Sequence, residues 1–410
     1  MQKRLHTIWL AVFLLLLHST VSVAYTAELK IEKTLTKADG LISNNVLAIF
    51  QDSHGAMWFG TTNGLTRYDG ENFRTFTTED GLAQDTIGLI FEDQRGMLWF
   101  GDGVLVNDLK REKTMDMSWM ETPLSELDLT PHDEIPAGTM KPIRPKGVSR
   151  YDGDAFRIFT TFSDDLVNDN VKDIFEDEMG TLWFVTGFGV SRYDGTEFHN
   201  FSIDGPMGMN ILPEAWKQVR TIAQDTAGNL WFGSYAGIIY YNAQTSRLRY
   251  FGVDPDFSPF QEMGQAQTAH ITDLQFDAKE NLWMSRDDTD EESSGVRRFD
   301  GKKLTIFPQS DALPMNSVNN ITKDSGGNLW FTGVKKLPAK MHETENSISM
   351  TFPEVESGVS VYNGERFQNF NTDDGLPSNR IWSVFEDSRG KLWFATDAGV
   401  AIGVYLPSEK

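Results

Sequence analysis

One motif, Asp-x-x-Gly-x-x-Trp, recurs along the chain and constrains its fold more than any other feature. Six copies are complete, and a seventh has Glu280 in place of the glycine. The copies, in chain order, are Asp52, Gly55 and Trp58; Asp93, Gly96 and Trp99; Asp177, Gly180 and Trp183; Asp225, Gly228 and Trp231; Asp277, Glu280 and Trp283; Asp324, Gly327 and Trp330; and Asp387, Gly390 and Trp393. A repeat of about 40 residues that contains several strands is typical of a β-propeller.

Each copy divides into four short strands, A to D. In the first copy we predict strand A over residues 46–51, B over 57–61, C over 65–68 and D over 73–77. Asp-x-x-Gly then forms the tight A–B turn, in which Asp bonds the backbone and Gly takes positive φ. In the copy without that glycine, we expect Asn281 to take this conformation. The repeated Asp and Trp residues are interpreted as scaffold, with Trp filling the space between blades rather than stacking on carbohydrate.

The N-terminal segment can supply the strand that the last copy lacks. Residues 29–36 belong to no complete copy, and the seventh copy reaches Lys410 without a strand D. We therefore predict an all-β fold, a single seven-bladed β-propeller of four-stranded antiparallel blades, in which 29–36 completes the last blade. The propeller spans 25–410, with blades near 40–80, 81–164, 165–204, 205–257, 258–311, 312–374 and 375–410.

Five connections are much longer than the minimum. Three join strands B and C (102–146, 286–294 and 334–357), and two join strand D to the next strand A (204–217 and 252–270). In an antiparallel meander these two kinds of connection lie on one face of the disc, the loop face, and the A–B and C–D turns lie on the other, the turn face. We predict that binding occurs on the loop face. Neutral drift of exposed loops is the alternative, although it does not explain the short turns opposite. The candidate ligand-binding residues are Trp119, Trp216, His270, Arg286 and His342.

The N-terminus has the pattern of a secretory signal peptide. Lys3 and Arg4 precede an apolar run over residues 8–17, and Ser22-Val23-Ala24 supplies small residues for cleavage after Ala24. The apolar run is short for a membrane span, so we expect residues 1–24 to be removed, with a retained anchor as the alternative. This predicts a periplasmic or secreted protein.

Composition excludes several classes of function. A net charge of −22 opposes binding to nucleic acid or anionic lipid, and the absence of cysteine excludes thiolate catalysis and Cys-ligated zinc. Metal-binding His pairs, a Gly-x-Ser-x-Gly elbow, a Walker loop and a dinucleotide fingerprint are all absent from the sequence. The acidic run 287–292 lacks the glycine and glutamate of a calcium loop. We predict no catalytic residue, no metal site and no cofactor.

Beyond the Asp and Trp positions, the repeat resembles the two-component regulator propeller repeat. Residues 40–70 match it almost throughout, as Gly-Leu-x-Ser-Asn-x-Val, Asp-x-x-Gly-x-x-Trp-Phe-Gly-Thr and Gly-Leu-x-Arg-Tyr-Asp-Gly, and 375–396 match its first half. The resemblance implies a periplasmic sensor propeller of the kind found in hybrid histidine kinases, where some members sense glycan fragments. Those proteins commonly carry two propellers, a β-sandwich, a membrane helix and the kinase. Here we expect a stand-alone propeller without kinase.

Three functions remain open. The first is an extracytoplasmic module that binds a small molecule, a glycan or a protein on the loop face as a sensory accessory. The second is a lyase or hydrolase, because the repeat is also similar to streptogramin lyase propellers, which use His and acidic residues near the channel; His270 is the plausible counterpart. The third is an assembly scaffold that uses 102–146 as a docking arm. None of the three involves nucleic acid or a membrane span after signal cleavage.

Overall fold

The described part of the chain covers most of the predicted propeller. The computed structural model describes residues 27–103, 115–116, 147–201, 218–235, 237–251, 270–286, 295–337, 340–344, 347–351 and 354–407. The predicted signal peptide, residues 1–24, lies outside these ranges. Nowhere in them does a helix reach the length and hydrophobicity that a membrane span requires. Their helical segments include two short 3-10 turns, Thr78–Asp80 and Thr372–Asp374.

Seven four-stranded antiparallel sheets form the blades, as predicted. Strand β1 (Glu28–Leu35) comes first in the chain. Blade 1 contains β2 (Val46–Gln51), β3 (Met57–Thr61), β4 (Gly64–Tyr68) and β5 (Phe73–Phe76), and blade 2 contains β6 (Leu89–Glu92), β7 (Leu98–Gly101), β9 (Val148–Tyr151) and β10 (Phe156–Phe159); the short β8 (Met115–Asp116) lies between β7 and β9 in the chain. Blade 3 contains β11 (Val171–Glu176), β12 (Leu182–Thr186), β13 (Gly189–Tyr193) and β14 (Phe198–Phe201).

The second half of the chain repeats this order. Blade 4 contains β15 (Val219–Gln224), β16 (Leu230–Ser234), β17 (Gly237–Asn242) and β18 (Arg247–Phe251), and blade 5 contains β19 (Ile271–Phe276), β20 (Leu282–Arg286), β21 (Gly295–Phe299) and β22 (Leu304–Phe307). Blade 6 contains β23 (Ser317–Lys323), β24 (Leu329–Lys336), β27 (Glu354–Tyr362) and β28 (Phe367–Phe370), with β25 (Lys340–Thr344) and β26 (Ser347–Thr351) inserted before β27. Blade 7 contains β29 (Ile381–Glu386), β30 (Leu392–Thr396), β31 (Gly399–Leu406) and β1.

The N-terminal strand closes the ring. Strand β1 pairs antiparallel with β31, with Leu29 opposite Tyr405 and Leu35 opposite Val400. Both leucines are buried. The predicted closure is confirmed, and β1 pairs with the edge of β31 that would otherwise end a three-stranded sheet.

The A strands are the innermost elements. The A strands of neighbouring blades contact one another in a continuous series, from β2 through β6, β11, β15, β19, β23 and β29 back to β2. Each sheet therefore radiates outward from strand A to strand D. The hydrophobic core lies between the sheets, because each cluster of buried apolar side chains joins two neighbouring blades.

The repeated Asp and Trp residues form a hydrogen-bonded pair in every blade. In blade 1, Oδ1 of Asp52 accepts from the amides of His54 and Ala56, and Oδ2 accepts from Nε1 of Trp58 at 2.7 Å. The same bond spans 2.8–3.0 Å in the other six blades, where it joins Trp99 to Asp93, Trp183 to Asp177, Trp231 to Asp225, Trp283 to Asp277, Trp330 to Asp324 and Trp393 to Asp387. The Trp ring then packs on the following blade, as Trp58 does on Tyr151 with ring centroids 5.9 Å apart. The interpretation of both residues as scaffold therefore fits their contacts.

The A–B turn glycines have the backbone conformation that this turn requires. In six blades the φ angle at the glycine lies between 76° and 89°, at Gly55, Gly96, Gly180, Gly228, Gly327 and Gly390. The amide of each glycine donates to the carbonyl oxygen of the turn Asp three residues earlier, as Gly96 does to Asp93 at 2.8 Å. The six glycines therefore serve the turn, as the repeat predicts.

The turn of blade 5 corrects one expectation. Glu280, not Asn281, adopts the left-handed conformation, with φ of 62°. The side chain and backbone amide of Asn281 donate to the carboxylate of Asp277 at 2.8 and 2.9 Å. Asn281 therefore strengthens the turn through its hydrogen bonds to Asp277. Glu280 occupies the position of the repeat glycine and adopts its left-handed backbone conformation.

The connection over 334–357 is not a simple loop. Strands β24 and β27 run past the length of other B and C strands and remain paired as far as Lys336 and Glu354. Beyond them, β25 and β26 form a hairpin, and β26 pairs with β8 of the blade 2 insert. The inserts of blades 2 and 6 thus meet in a three-stranded sheet, the cap sheet.

Candidate functional site

A β-bulge at the loop-face end of the inner strands positions the candidate site. In blade 3 the bulge skips Lys172, and in blade 4 it skips Arg220. A bulge re-aims the extra side chain and increases the local twist. Because strand A begins where the D–A connection ends, both cations lie at the loop-face end of the ring.

Arg220, Tyr235 and His270 come together at the junction of blades 4 and 5. The guanidinium carbon of Arg220 lies 5.3 Å from the centroid of the Tyr235 ring, and its Nη1 donates to the Tyr235 hydroxyl at 3.3 Å. The imidazole of His270 packs edge-on against the same ring, with centroids 4.4 Å apart. We call these three residues the mouth cluster.

Lys172 provides a second cation on the neighbouring blade. Its Nζ donates to the carbonyl oxygen of Gly103, in the B–C connection of blade 2, at 3.2 Å. Lys172 and Arg220 are both buried. Two cations and an aromatic ring at one end of the ring suit a ligand that presents oxygen atoms beside a flat surface.

Two buried carboxyl groups lie one residue further along the inner strands. Asp173 Oδ2 accepts from the amide of Ile222 in blade 4 at 3.0 Å, and Asp273 Oδ2 accepts from the amide of Ile321 in blade 6 at 2.7 Å. Thr221, between them, donates its hydroxyl to Asp273 at 3.0 Å. These three side chains link the inner strands of blades 3 to 6.

Burial changes the chemistry of both carboxyl groups. Desolvation, followed by the charge of Asp273, raises the pKa of Asp173 to about 7. Desolvation likewise raises the pKa of Asp273 to about 6, although amide donors oppose it. Each group can therefore hold a proton close to neutral pH, which is uncommon for aspartate.

A polar cleft lies on the same face, beside blade 6. It has a volume of about 540 Å³ and is lined by side chains that include Asp311, Lys335, Glu356, Asn369 and Asn379. Arg380 donates to Glu356 at 3.2 Å on its rim. The cleft exists because β24 and β27 rise above the neighbouring blades. Its amides and paired charges suit a hydrophilic ligand.

The five residues predicted to bind ligand fall into three groups. His270 belongs to the mouth cluster. Trp119 and Trp216 lie outside the described residues. Arg286 and His342 occupy β20 and β25, and their side chains lie outside the described part. One of the five thus lies where the described side chains converge.

Sequence reasoning missed Arg220, Tyr235, Asp173 and Asp273. The first copy has Val46-Leu-Ala-Ile in strand A, whereas blade 3 has Val171-Lys-Asp-Ile and blade 4 has Val219-Arg-Thr-Ile. Charged residues within an otherwise apolar inner strand were the available signal, because buried charges need partners or a function.

A triplet of two carboxylates and one histidine was also missed. Asp194, Glu197 and His199 lie on the C–D hairpin of blade 3, with one ligand atom of each within 4.8 Å of the others. All three are exposed, and His199 Nε2 lies 3.2 Å from Asp194 Oδ2. Asp194 also accepts from Thr196 and Glu197, as the equivalent turn aspartates do. The triplet is therefore explained by the turn.

Three segments of the chain match a known family of repeats. The family model described as two component regulator propeller matches residues 40–63, 214–236 and 375–398. These segments include the A–B hairpins of blades 1, 4 and 7. The chain carries two-component regulator propeller repeats. No curated protein sequence matches it.

Solved structures share the propeller fold at low sequence identity. The extracellular domain of a hybrid two component system from B. thetaiotaomicron is 18% identical, with a TM-score of 0.38 over 90% of this chain and 52% of that one. This chain thus spans about half the length of that domain. Streptogramin B lyase is 12% identical, with a TM-score of 0.53 over 94% of this chain and 100% of the lyase. YCF48 bound to D1 peptide is 11% identical, with a TM-score of 0.50 over 95% and 100% of the two chains.

Proposed function

We propose that this protein is an extracytoplasmic ligand- or protein-binding propeller, a sensory accessory of two-component-regulator type that binds on the loop face. The mouth cluster is the observation that supports this function. Arg220, Tyr235 and His270 depart from the repeat, and they converge on the face that carries the long connections. Functional residues on repeat scaffolds concentrate where the copies differ.

The chemistry of the cluster supports binding of a polar ligand. Arg220 and Lys172 offer charged donors, and Tyr235 offers a ring against which a flat group packs. The blade 6 cleft on the same face provides further amide and carboxylate groups. A glycan fragment, a small molecule or a peptide segment fits this description. The regulator-propeller repeats support a sensory role, and the N-terminal signal pattern supports an extracytoplasmic location.

Binding is tested by thermal shift with a panel of glycans, peptides and metal ions. We expect at least one compound to raise the melting temperature, because a ligand that binds only the folded state stabilises it. His270→Gln should abolish that shift, whereas His54→Gln, on an exposed turn of the opposite face, should preserve it. A panel without any stabilising compound contradicts the proposal, as does a shift that His270→Gln leaves intact.

A lyase or hydrolase is the second candidate. The raised pKa values of Asp173 and Asp273 favour it, since a carboxyl group that holds a proton near neutral pH can serve as a general acid. Streptogramin B lyase has the same overall fold. The test is product analysis by mass spectrometry after incubation of each stabilising compound with the wild type and with Asp173→Asn and Asp273→Asn. Turnover by the wild type that either substitution removes would support an enzyme, and unchanged compounds would support binding alone.

A further inference from the structure

A second pocket lies at the turn-face end of blade 4, where Trp231 packs against Phe276 of blade 5. It has a volume of about 360 Å³. We call it the blade 4 pocket, and its lining includes Asp225, Trp231, Tyr240, Asn242, Arg247 and Arg249. It is built from A–B and C–D turn residues and from the strands beside them. The pocket is therefore separate from the loop-face site.

Blade 4 departs from the repeat at this pocket. In blades 1, 2, 3 and 5, an arginine of strand C covers the repeated Trp, with its guanidinium carbon 5.6–5.9 Å from the ring centroid. Blade 4 has Tyr240 at that position, which meets Trp231 edge-on at 4.8 Å. Six of the repeated Trp side chains are at most 7% exposed, whereas Trp231 is partly exposed.

Blade 5, which faces this side of blade 4, has a smaller side chain than other blades at the start of strand D. The first residue of strand D is Phe in blades 1, 2, 3 and 6, and in blade 2 this residue, Phe156, packs on Phe76 and Phe100. In blade 5 it is Leu304, which packs in the same cluster as Trp231 and Tyr240. Without the aromatic ring, less of the space between the two blades is filled.

Two arginine side chains line the blade 4 pocket. Arg247 and Arg249 are two residues apart on β18, so both project from the same face of the sheet as their cross-strand partners Asn242 and Tyr240. Both arginines are exposed. The side chain of Arg247 makes no hydrogen bond or ion pair with any residue that the structure describes.

Asp225, the one carboxylate among the described lining residues, is already engaged. Asp225 Oδ1 accepts from the amides of Ala227 and Asn229, and Oδ2 accepts from Nε1 of Trp231 at 3.0 Å. It holds its own turn, as the equivalent Asp does in every blade. In a protein with a net charge of −22, a pocket with two arginines is a local site for an anion.

We propose that the blade 4 pocket binds a small aromatic carboxylic acid. The carboxylate would pair with Arg247, assisted by Arg249, because the planar guanidinium matches a carboxylate in two hydrogen bonds. The ring would pack on the exposed part of Trp231 beside Tyr240. A volume of about 360 Å³ is at the lower end of pockets that hold small molecules, which limits the ligand to a single ring with a short acid chain.

The test is ligand-observed NMR on the full chain with three probes. Phenylacetate carries the ring and the charge, phenylacetamide carries the ring alone, and acetate carries the charge alone. We expect saturable binding of phenylacetate and at least about tenfold weaker binding of the other two. Equal binding of phenylacetate and phenylacetamide, or no saturation by phenylacetate at about 10 mM, would overturn the proposal.

Four variants, two of them controls, assign the binding to the pocket. Arg247→Gln should weaken phenylacetate binding by at least about tenfold, whereas Arg74→Gln, which removes an exposed strand D arginine from blade 1, should not change it. Leu304→Phe should weaken binding without removing a charge, because it restores the ring found in other blades. Unchanged binding in Arg247→Gln or in Leu304→Phe contradicts the assignment. His270→Gln should have no effect, which separates this site from the loop-face site.

Discussion

The hydroxyl of Thr221 donates to Oδ1 of Asp273 across the boundary between blades 4 and 5, at 3.0 Å. Asp273 in turn accepts from the amide of Ile321 in blade 6, and Asp173 accepts from the amide of Ile222 in blade 4. Polar side chains thus connect four successive inner strands directly beneath the mouth cluster. Because the carboxyl groups are buried and their pKa values are raised, their protonation affects the stability of the fold.

Stability should fall as pH rises towards neutrality. Burial raises the pKa of Asp173 from 3.8 to about 7, so between these values the folded protein holds a proton that the unfolded chain has released. The free energy of unfolding therefore decreases with pH by up to about 1.4 kcal/mol per unit for each such carboxyl group. Urea denaturation from pH 4 to 8 measures the slope.

Asp173→Asn should flatten this pH dependence, because the amide does not titrate. Asp154→Asn, on an exposed C–D turn, should leave the slope as it is in the wild type. Parallel curves for the wild type and Asp173→Asn would show that Asp173 takes up no proton on folding.

The Asp–Trp pair should be a major source of blade stability. Asp324→Ala removes the acceptor of Trp330 Nε1 and of the amide and side chain of Asn328, and leaves donors buried. We expect a loss of about 2–4 kcal/mol in the free energy of unfolding, measured with urea. The exposed turn residue Asp300 accepts only from the amides of Lys302 and Lys303, so Asp300→Ala should cost much less. Equal losses would refute the special role of the Asp–Trp pair.

The closing strand should stabilise the whole ring. Leu35 is 1% exposed and packs among residues of blades 7 and 1, so Leu35→Ala should reduce the free energy of unfolding by about 2–5 kcal/mol. Lys33→Ala, on the same strand but exposed, is the matched control. A single cooperative transition at lower urea concentration is expected. Local fraying with an unchanged main transition would mean that the closure is dispensable.

Replacing Glu280 with glycine should stabilise the folded protein. Its φ of 62° is costly for a side chain but free of strain for glycine, which occupies this place in the other six turns. We expect Glu280→Gly to raise the free energy of unfolding by about 0.5–1 kcal/mol. Glu178→Gly, in the corresponding turn of blade 3 where Gly180 already takes positive φ, should lower it instead. A loss of stability in Glu280→Gly would contradict the strain.

Local patterns predicted the fold, because each blade is a short-range unit that repeats. Asp52, Gly55 and Trp58 mark the hairpin within a few residues, and the unmatched ends predicted the closure by β1. The hydrogen bond from Trp58 to Asp52 was missed, because it depends on how the side chains lie across the hairpin.

The candidate site was only partly predictable, because it depends on how side chains from several blades pack together. His270 stood out because it ends a long connection. Arg220 was overlooked although its charge lies in an otherwise apolar strand, because the bulge that re-aims its side chain cannot be read from the sequence. Asp173 and Asp273 lie on blades separated by a third blade, so their influence on one another follows from the packing of the ring.

Calorimetric titration of loop-face variants measures how much Arg220 contributes to ligand binding. The best compound from the thermal-shift panel is titrated into the wild type, Arg220→Gln and Arg67→Gln, the last of which changes an arginine over Trp58 in blade 1. If the mouth cluster binds the ligand, Arg220→Gln weakens binding by at least about tenfold, whereas Arg67→Gln binds like the wild type. Wild-type affinity in Arg220→Gln would contradict a binding site at the mouth of the ring.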